Sequence, residues 1–200
     1  MENSNVVKIS SKIVSVKVLD NVPTRVETII PENVSLPADA PARMKTLKSE
    51  GRKWYLTVVY HPNTEQPFAL FCHTNHYEKT TQTSTAVERL CALAERKGIP
   101  TKFIESVHEK AKHDPNTSKL TRSISLLLRH GVLVENIVAE LDAMDDIYVG
   151  SFLFQIKKFL SNHIEDGTVA DGHNCPVCDT PQIFSEGCLR CPSCGHSKCG

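Results

Sequence analysis

Residues 175–200 constrain this chain more than any other stretch, because they hold six of its eight cysteines. Two Cys-Pro-x-Cys pairs, Cys175/Cys178 and Cys191/Cys194, stand twelve residues apart. Each pair can curl into a knuckle that turns both thiolates toward one tetrahedral metal, and the residues between them can form a short hairpin. Pro176 and Pro192 lie inside the knuckles, and Gly195 follows the second, where the backbone must turn sharply. The spacing predicts a zinc ribbon with Zn(2+) on Cys175, Cys178, Cys191 and Cys194. Four thiolates leave no open coordination position, so the expected metal is structural. His196 could substitute as a ligand, but four cysteines make it unnecessary. Cys188 and the penultimate Cys199 fall outside this set.

The rest of the 200 residues suffices for one domain with a core of its own. Lys and Arg number 23 and Asp and Glu 23, which disfavours a protein living on phosphate contacts. The hairpin residues 179–190 carry Asp179 and Glu186 against Arg190, with Phe184 the one aromatic. That is too acidic for a ribbon that grips nucleic acid, so a nucleic-acid-binding zinc ribbon stands only as the alternative reading. No apolar run reaches the length of a membrane span and the amino terminus has no signal-peptide core, so the expected home is the cytoplasm. Thiols stay reduced there, and clustered cysteines signal metal or redox work.

Periodicity predicts an α+β fold: a small antiparallel sheet packed by about five helices, followed by the C-terminal zinc ribbon. Three regions are expected: N-terminal strands and linker over residues 1–41, the α+β domain over 42–164, and tether, ribbon and tail over 165–200. Residues 13–19 alternate like a strand, 25–30 are also β-rich, and the proline-rich run 36–41 reads as a linker. Residues 44–48, 54–60 and 68–72, joined by turn-forming segments, predict a three-stranded meander. From Ser84 the period becomes helical, with Val87, Leu90, Cys91 and Ala94 on one face, Ser84 as a start and Gly98 as an end. Further helices are expected around Phe103–Ala111, Leu120–Leu128, Glu135–Met144 and Val149–Ile164. Cys91 reads as a small core residue. His73 and His76 lack companion ligands and read as loop residues, while Lys119, Arg122, Arg129 and His130 read mainly as a solvated helix face. No phosphate loop, dinucleotide fingerprint or serine elbow occurs, so nothing in 42–164 resembles a self-contained active site.

Three stretches carry a family resemblance. Residues 120–132 (LTRSISLLLRHGV) and 149–160 (VGSF through IKKFL) resemble consecutive segments near the end of adenosylcobalamin-dependent (class II) ribonucleotide reductases. Residues 186–200, EGCLRCPSCGHSKCG, are similar to that family's carboxyl terminus. The resemblance runs in order over roughly residues 42–200. It implies the C-terminal subunit of a split class II reductase, because the family's ten-stranded catalytic barrel has no counterpart here. Adenosylcobalamin and the nucleotide pocket would then lie on a large catalytic partner, and this chain would not be catalytic alone but part of a ribonucleoside-diphosphate or triphosphate reductase.

The implied role is redox: a C-terminal dithiol re-reduces the partner's active-site disulfide during deoxyribonucleotide synthesis and is recharged by thioredoxin or glutaredoxin. Cys199 suits the exposed position, beside Lys198, whose charge favours thiolate. The family's spacing favours Cys194 as its partner, but a thiolate held on zinc exchanges poorly. The preferred redox pair is therefore Cys188 and Cys199, with Cys194 the rival partner. A non-redox regulatory subunit of a reductase remains a third reading.

Overall fold

The computed structural model describes residues 27–49, 51–73, 81–110, 116–144 and 147–197. The expected strand at 13–19, His76 and Cys199 lie outside the described residues. The chain is α+β, with strands β1 (Ala42–Ser49), β2 (Arg52–Tyr60) and β3 (Pro67–His73) in a meander. Helices α1 (Thr81–Arg96), α2 (Thr101–Lys110), α3 (Asn116–Arg129), α4 (Val134–Asp142) and α5 (Phe152–Ser161) follow. A second three-stranded sheet, β4 (Val169–Asn174), β5 (Pro181–Ser185) and β6 (Cys188–Arg190), ends the chain.

Alternation along β2 sets the layers. Trp54, Leu56 and Val58 face inward, together with Leu47 of β1 and Leu70 of β3, and the helices cover that face. Trp54 stacks against Phe152 of α5 with ring centroids 4.4 Å apart. The opposite face is open: Met44 is 71% and Phe71 46% exposed. The two sheet edges are treated differently. On β3, Ser125 of α3 accepts from the Leu70 N–H at 2.8 Å and donates to the Leu70 carbonyl at 3.0 Å, so a helix side chain satisfies the strand's outer groups. On β1 the edge carries Arg43, Lys45 and Lys48, charges that discourage strand addition.

The amphipathic helices pack as their spacing predicts, with Leu90, Leu120, Ile124, Leu127, Ile137, Leu141, Ile156 and Leu160 fully buried. Helix α1 begins three residues before Ser84, which sits inside it. Helix α5 starts on Ser151, whose hydroxyl accepts from the Phe154 N–H at 3.1 Å. Helix α4 starts on Leu133, which has no capping side chain of its own. Glu27 supplies one from far away in sequence, accepting from the Leu133 N–H at 3.2 Å and the Asn136 amide at 2.9 Å. A carboxylate there also meets the positive end of the helix dipole.

Glu27 belongs to an irregular strap over residues 27–41 rather than to a strand, although 25–30 has strand-like composition. The strap is tied down at several points. Lys97 pairs with Glu27 at 2.5 Å, the Ile30 N–H donates to the His130 carbonyl at 2.9 Å, and the His130 ring bonds the Ile30 carbonyl. These backbone bonds are made to the end of a helix, where no neighbouring strand is available to extend a ladder. His130, read from sequence as part of a solvated face, is fully buried beside Phe103.

The expected tether also differs. Within 165–174, residues Val169–Asn174 form β4 and pair with β5. Its largely polar composition conceals the strand; among its described side chains only Ala170 is buried. Ala170, Phe184 and Leu189 join the same hydrophobic cluster as the five helices, so the terminal sheet is packed on the helical layer.

Candidate metal centre

The two Cys-Pro-x-Cys segments fold alike. In the first, the Cys175 N–H donates to the Thr180 carbonyl at 2.9 Å, and the Asp179 N–H donates back to the Cys175 carbonyl at 2.8 Å. In the second, Cys191 and His196 repeat the first contact at 2.8 Å, and Gly195 and Cys191 repeat the other at 3.0 Å. Both loops close through a left-handed residue at the same place, Asp179 at φ 57° and Gly195 at φ 75°. Aspartate tolerates that conformation better than most residues, and here Asn174 holds its carboxylate at 3.0 Å. The glycine was legible in the sequence; its aspartate counterpart was legible only by aligning the second knuckle on the first.

This geometry brings Cys175, Cys178, Cys191 and Cys194 together, with all four sulfurs within 4.8 Å of one another. The first cysteine of each knuckle is buried and the second exposed. They approach crosswise: Cys175 lies 3.5 Å from Cys194 and Cys178 lies 3.4 Å from Cys191. Four sulfurs about 2.3 Å from a tetrahedral zinc would sit roughly 3.8 Å apart, so the cluster matches such an ion with little rearrangement. Backbone N–H groups already point at the inner sulfurs: Val177 donates to Cys175 and Cys194 to Cys191, each at 3.4 Å. Among the described residues no histidine or carboxylate joins the four.

The electrostatics would suit a cation. The hydroxyl and backbone of Thr180 hold the Cys178 thiol down to about 6, a contribution the sequence reading did not assign to Thr180. Cys194 stands at about 12: a backbone hydrogen bond at His196 lowers it, but desolvation and the sulfurs of Cys175, Cys191 and Cys178 push it up. Four thiols this close cannot all ionise unaided. A divalent ion such as zinc would relieve the conflict by neutralising the thiolates.

The remaining cysteines divide sharply. Cys72 is pushed up to about 12 by burial, and burial also raises Cys91. Neither offers a ready thiolate. Cys91 does sit near the His108 ring, at 3.6 Å, and near the Ser123 hydroxyl, at 4.0 Å, in a partly buried seam among α1, α2 and α3. Cys188 is not part of the four-sulfur cluster, and it is bonded in a disulfide. It opens β6 opposite Ser185, across a two-residue turn in which Glu186 and Gly187 have φ of 52° and 77°. Two positive φ angles identify a type I′ hairpin, whose twist matches the strands it joins. The Glu186 N–H donates to Asp166 at 2.8 Å, fixing the turn beside the end of α5. His73 is exposed at the end of β3, and His196 contributes its carbonyl rather than its ring to the second knuckle.

Among the described residues, no helix is long and apolar enough to cross a membrane. Comparison with family models, with curated proteins and with solved structures finds no match to this chain.

Proposed function

We propose that this chain is the accessory subunit of a two-chain adenosylcobalamin-dependent ribonucleotide reductase, that its terminal sheet is a zinc ribbon, and that Cys188 and Cys199 are its redox pair. The observation that carries the reading is the separation of Cys188 from the four sulfurs: the cluster keeps four free thiols while Cys188 is engaged in a disulfide. Cys199 is the one other cysteine outside the cluster and the two core positions, and it is the proposed partner. The resemblance of residues 120–132, 149–160 and 186–200 to the class II carboxyl terminus supports the same assignment.

The chemistry is a two-electron exchange. Reduction of ribose on the large subunit converts two active-site thiols to a disulfide. In the dithiol form, the Cys199 thiolate attacks that disulfide, forming a mixed disulfide and releasing one thiolate. The Cys188 thiolate then attacks Cys199, releasing the second active-site thiolate and closing Cys188–Cys199. Two electrons pass to the active site, which takes up two protons from solvent. A thioredoxin or glutaredoxin dithiol reverses the oxidation. Adenosylcobalamin, bound by the partner, supplies the radical that starts ribose reduction; residues of this chain take no part in that step. The cysteine cluster would hold β5 and β6 in place, so that Cys188 is presented on a rigid hairpin while the tail carries Cys199.

The test is turnover with the co-expressed partner. The large subunit alone should stop after about one turnover with thioredoxin as reductant, and adding this chain should restore continuous deoxyribonucleotide formation. Cys199→Ser should behave like omission of the chain, lowering multiple turnover by a factor of ten or more, on the order expected when a unit-acting group is lost. Full thioredoxin-driven turnover with Cys199→Ser would defeat the proposal.

A further inference from the structure

A second site lies away from the cysteines, where the strap crosses the end of α3. The β2–β3 turn, the strap and α3 enclose a half-open pocket of about 300 Å³. Its walls are largely apolar, including Val34, Phe68 and Leu128, and its polar side chains include His61, Gln66 and Arg129. That size lies at the lower end of small-molecule sites, and an apolar cavity with a few convergent polar groups is their usual composition.

Arg129 makes this pocket chemically specific. Its Nε is buried without a hydrogen-bond partner, and no ion pair to a carboxylate is formed by Arg129 or Arg122 among the described residues. Among the described residues the lining contains no carboxylate; Glu65 adjoins lining residues in sequence and Glu32 lies two residues from them, but neither lines the pocket. Desolvation lowers the Arg129 pKa, and repulsion from Arg122, two turns earlier on α3, lowers it further. A guanidinium in that position lacks a counter-charge. Gln66 adds an unpaired amide oxygen, and rotating the amide would present its N–H groups instead. The His61 Nδ1 accepts from the Asn63 N–H at 3.3 Å, which places the ring proton on Nε2 as a donor.

We infer that this pocket binds a small carboxylate carried on an apolar body. The two terminal N–H groups of Arg129, unlike its buried Nε, form the end-on fork that a carboxylate fills with two parallel hydrogen bonds, while Val34, Phe68 and Leu128 receive the apolar part. A phosphate dianion would need more donors than one half-buried guanidinium, an amide and an imidazole provide. The inference rests on nothing in the cysteine cluster.

Calorimetry and arginine Nε–H NMR on the full chain test it, with benzoate as the probe, benzyl alcohol as its uncharged control and inorganic phosphate as the anion without an apolar body. Benzoate should bind saturably, with a dissociation constant of about 1 mM or tighter, and move the Arg129 Nε–H signal. Benzyl alcohol should not bind, and phosphate should bind at least fivefold more weakly. Arg129→Gln should weaken benzoate at least tenfold. Val34→Phe, at a position 37% exposed, should also block it by filling the apolar half, and it serves if Arg129→Gln does not fold. Absence of saturable benzoate binding, equal binding of phosphate, or benzoate binding unchanged in the folded variants would overturn the inference.

Discussion

Gly131 shows how much can rest on a missing side chain. Its φ is +81°, and a Cβ built on it would lie 2.2 Å from the carbonyl oxygen of Thr28 in the strap. Gly98 has nearly the same φ, +75°, but nothing within 4 Å of its Cβ position. Alanine at either site pays for the left-handed backbone, about 1–2 kcal/mol. At Gly131 it must also displace Thr28, and with it the bonds between Ile30 and His130. Urea unfolding should therefore show Gly131→Ala losing clearly more stability than Gly98→Ala; equal losses would mean that the strap contributes nothing there. A glycine just after the apolar run Leu120–Leu128 is an ordinary helix end, and Gly131 does follow α3, but nothing local marks it as the seat of the strap. The contact spans some hundred residues of sequence, and no local pattern announces it.

At the level of elements, the first sheet and the five helices were legible because each has its own punctuation. Gly51 and the His61–Gln66 turn separate the strands, and Gly98 and Gly131 close helices at positive φ. What stayed hidden depends on partners. The strand β4 is polar beyond Val169 and Ala170 and exists by pairing with β5, and Glu27 caps α4 across more than a hundred residues. Ser125 is of this kind: on α3 it reads as a filler between Ile124 and Leu126, yet its hydroxyl holds both backbone groups of Leu70. Ser125→Ala should cost about 1–3 kcal/mol, the penalty for leaving buried backbone groups unpaired. Ser123→Ala should be close to neutral by comparison, since the Ser123 hydroxyl donates to the Lys119 carbonyl of its own helix at 2.9 Å. The comparison can be read from paired chemical-denaturation curves, and a neutral Ser125→Ala would contradict the role assigned to the α3–β3 contact.

Across the whole molecule, the cysteine-bearing sheet and the helical layer share one core. Phe184 of β5 is 1% exposed, and its backbone bonds Gly167 and Thr168 at 2.7 and 2.8 Å on the path from α5. Phe184→Ala should destabilise the chain by about 3–5 kcal/mol, as large aromatic truncations in cores do. Thermal unfolding followed at helix wavelengths should register it; a change confined to the terminal sheet would mean that the two layers unfold independently. The knuckle spacing told in advance which cysteines would meet, because two Cys-Pro-x-Cys turns repeat one local geometry. It did not tell what Cys188 does, because that depends on where the β5–β6 hairpin ends. The central claim is that four cysteines hold metal while Cys188 and Cys199 exchange electrons. It is tested most directly by measuring zinc and free thiols together as the reduced, zinc-loaded protein is oxidised. The account predicts that two thiols per chain disappear, that peptide mapping finds them at Cys188 and Cys199, and that one zinc per chain stays bound. Zinc release in step with disulfide formation, with Cys194 in the new disulfide, would contradict it.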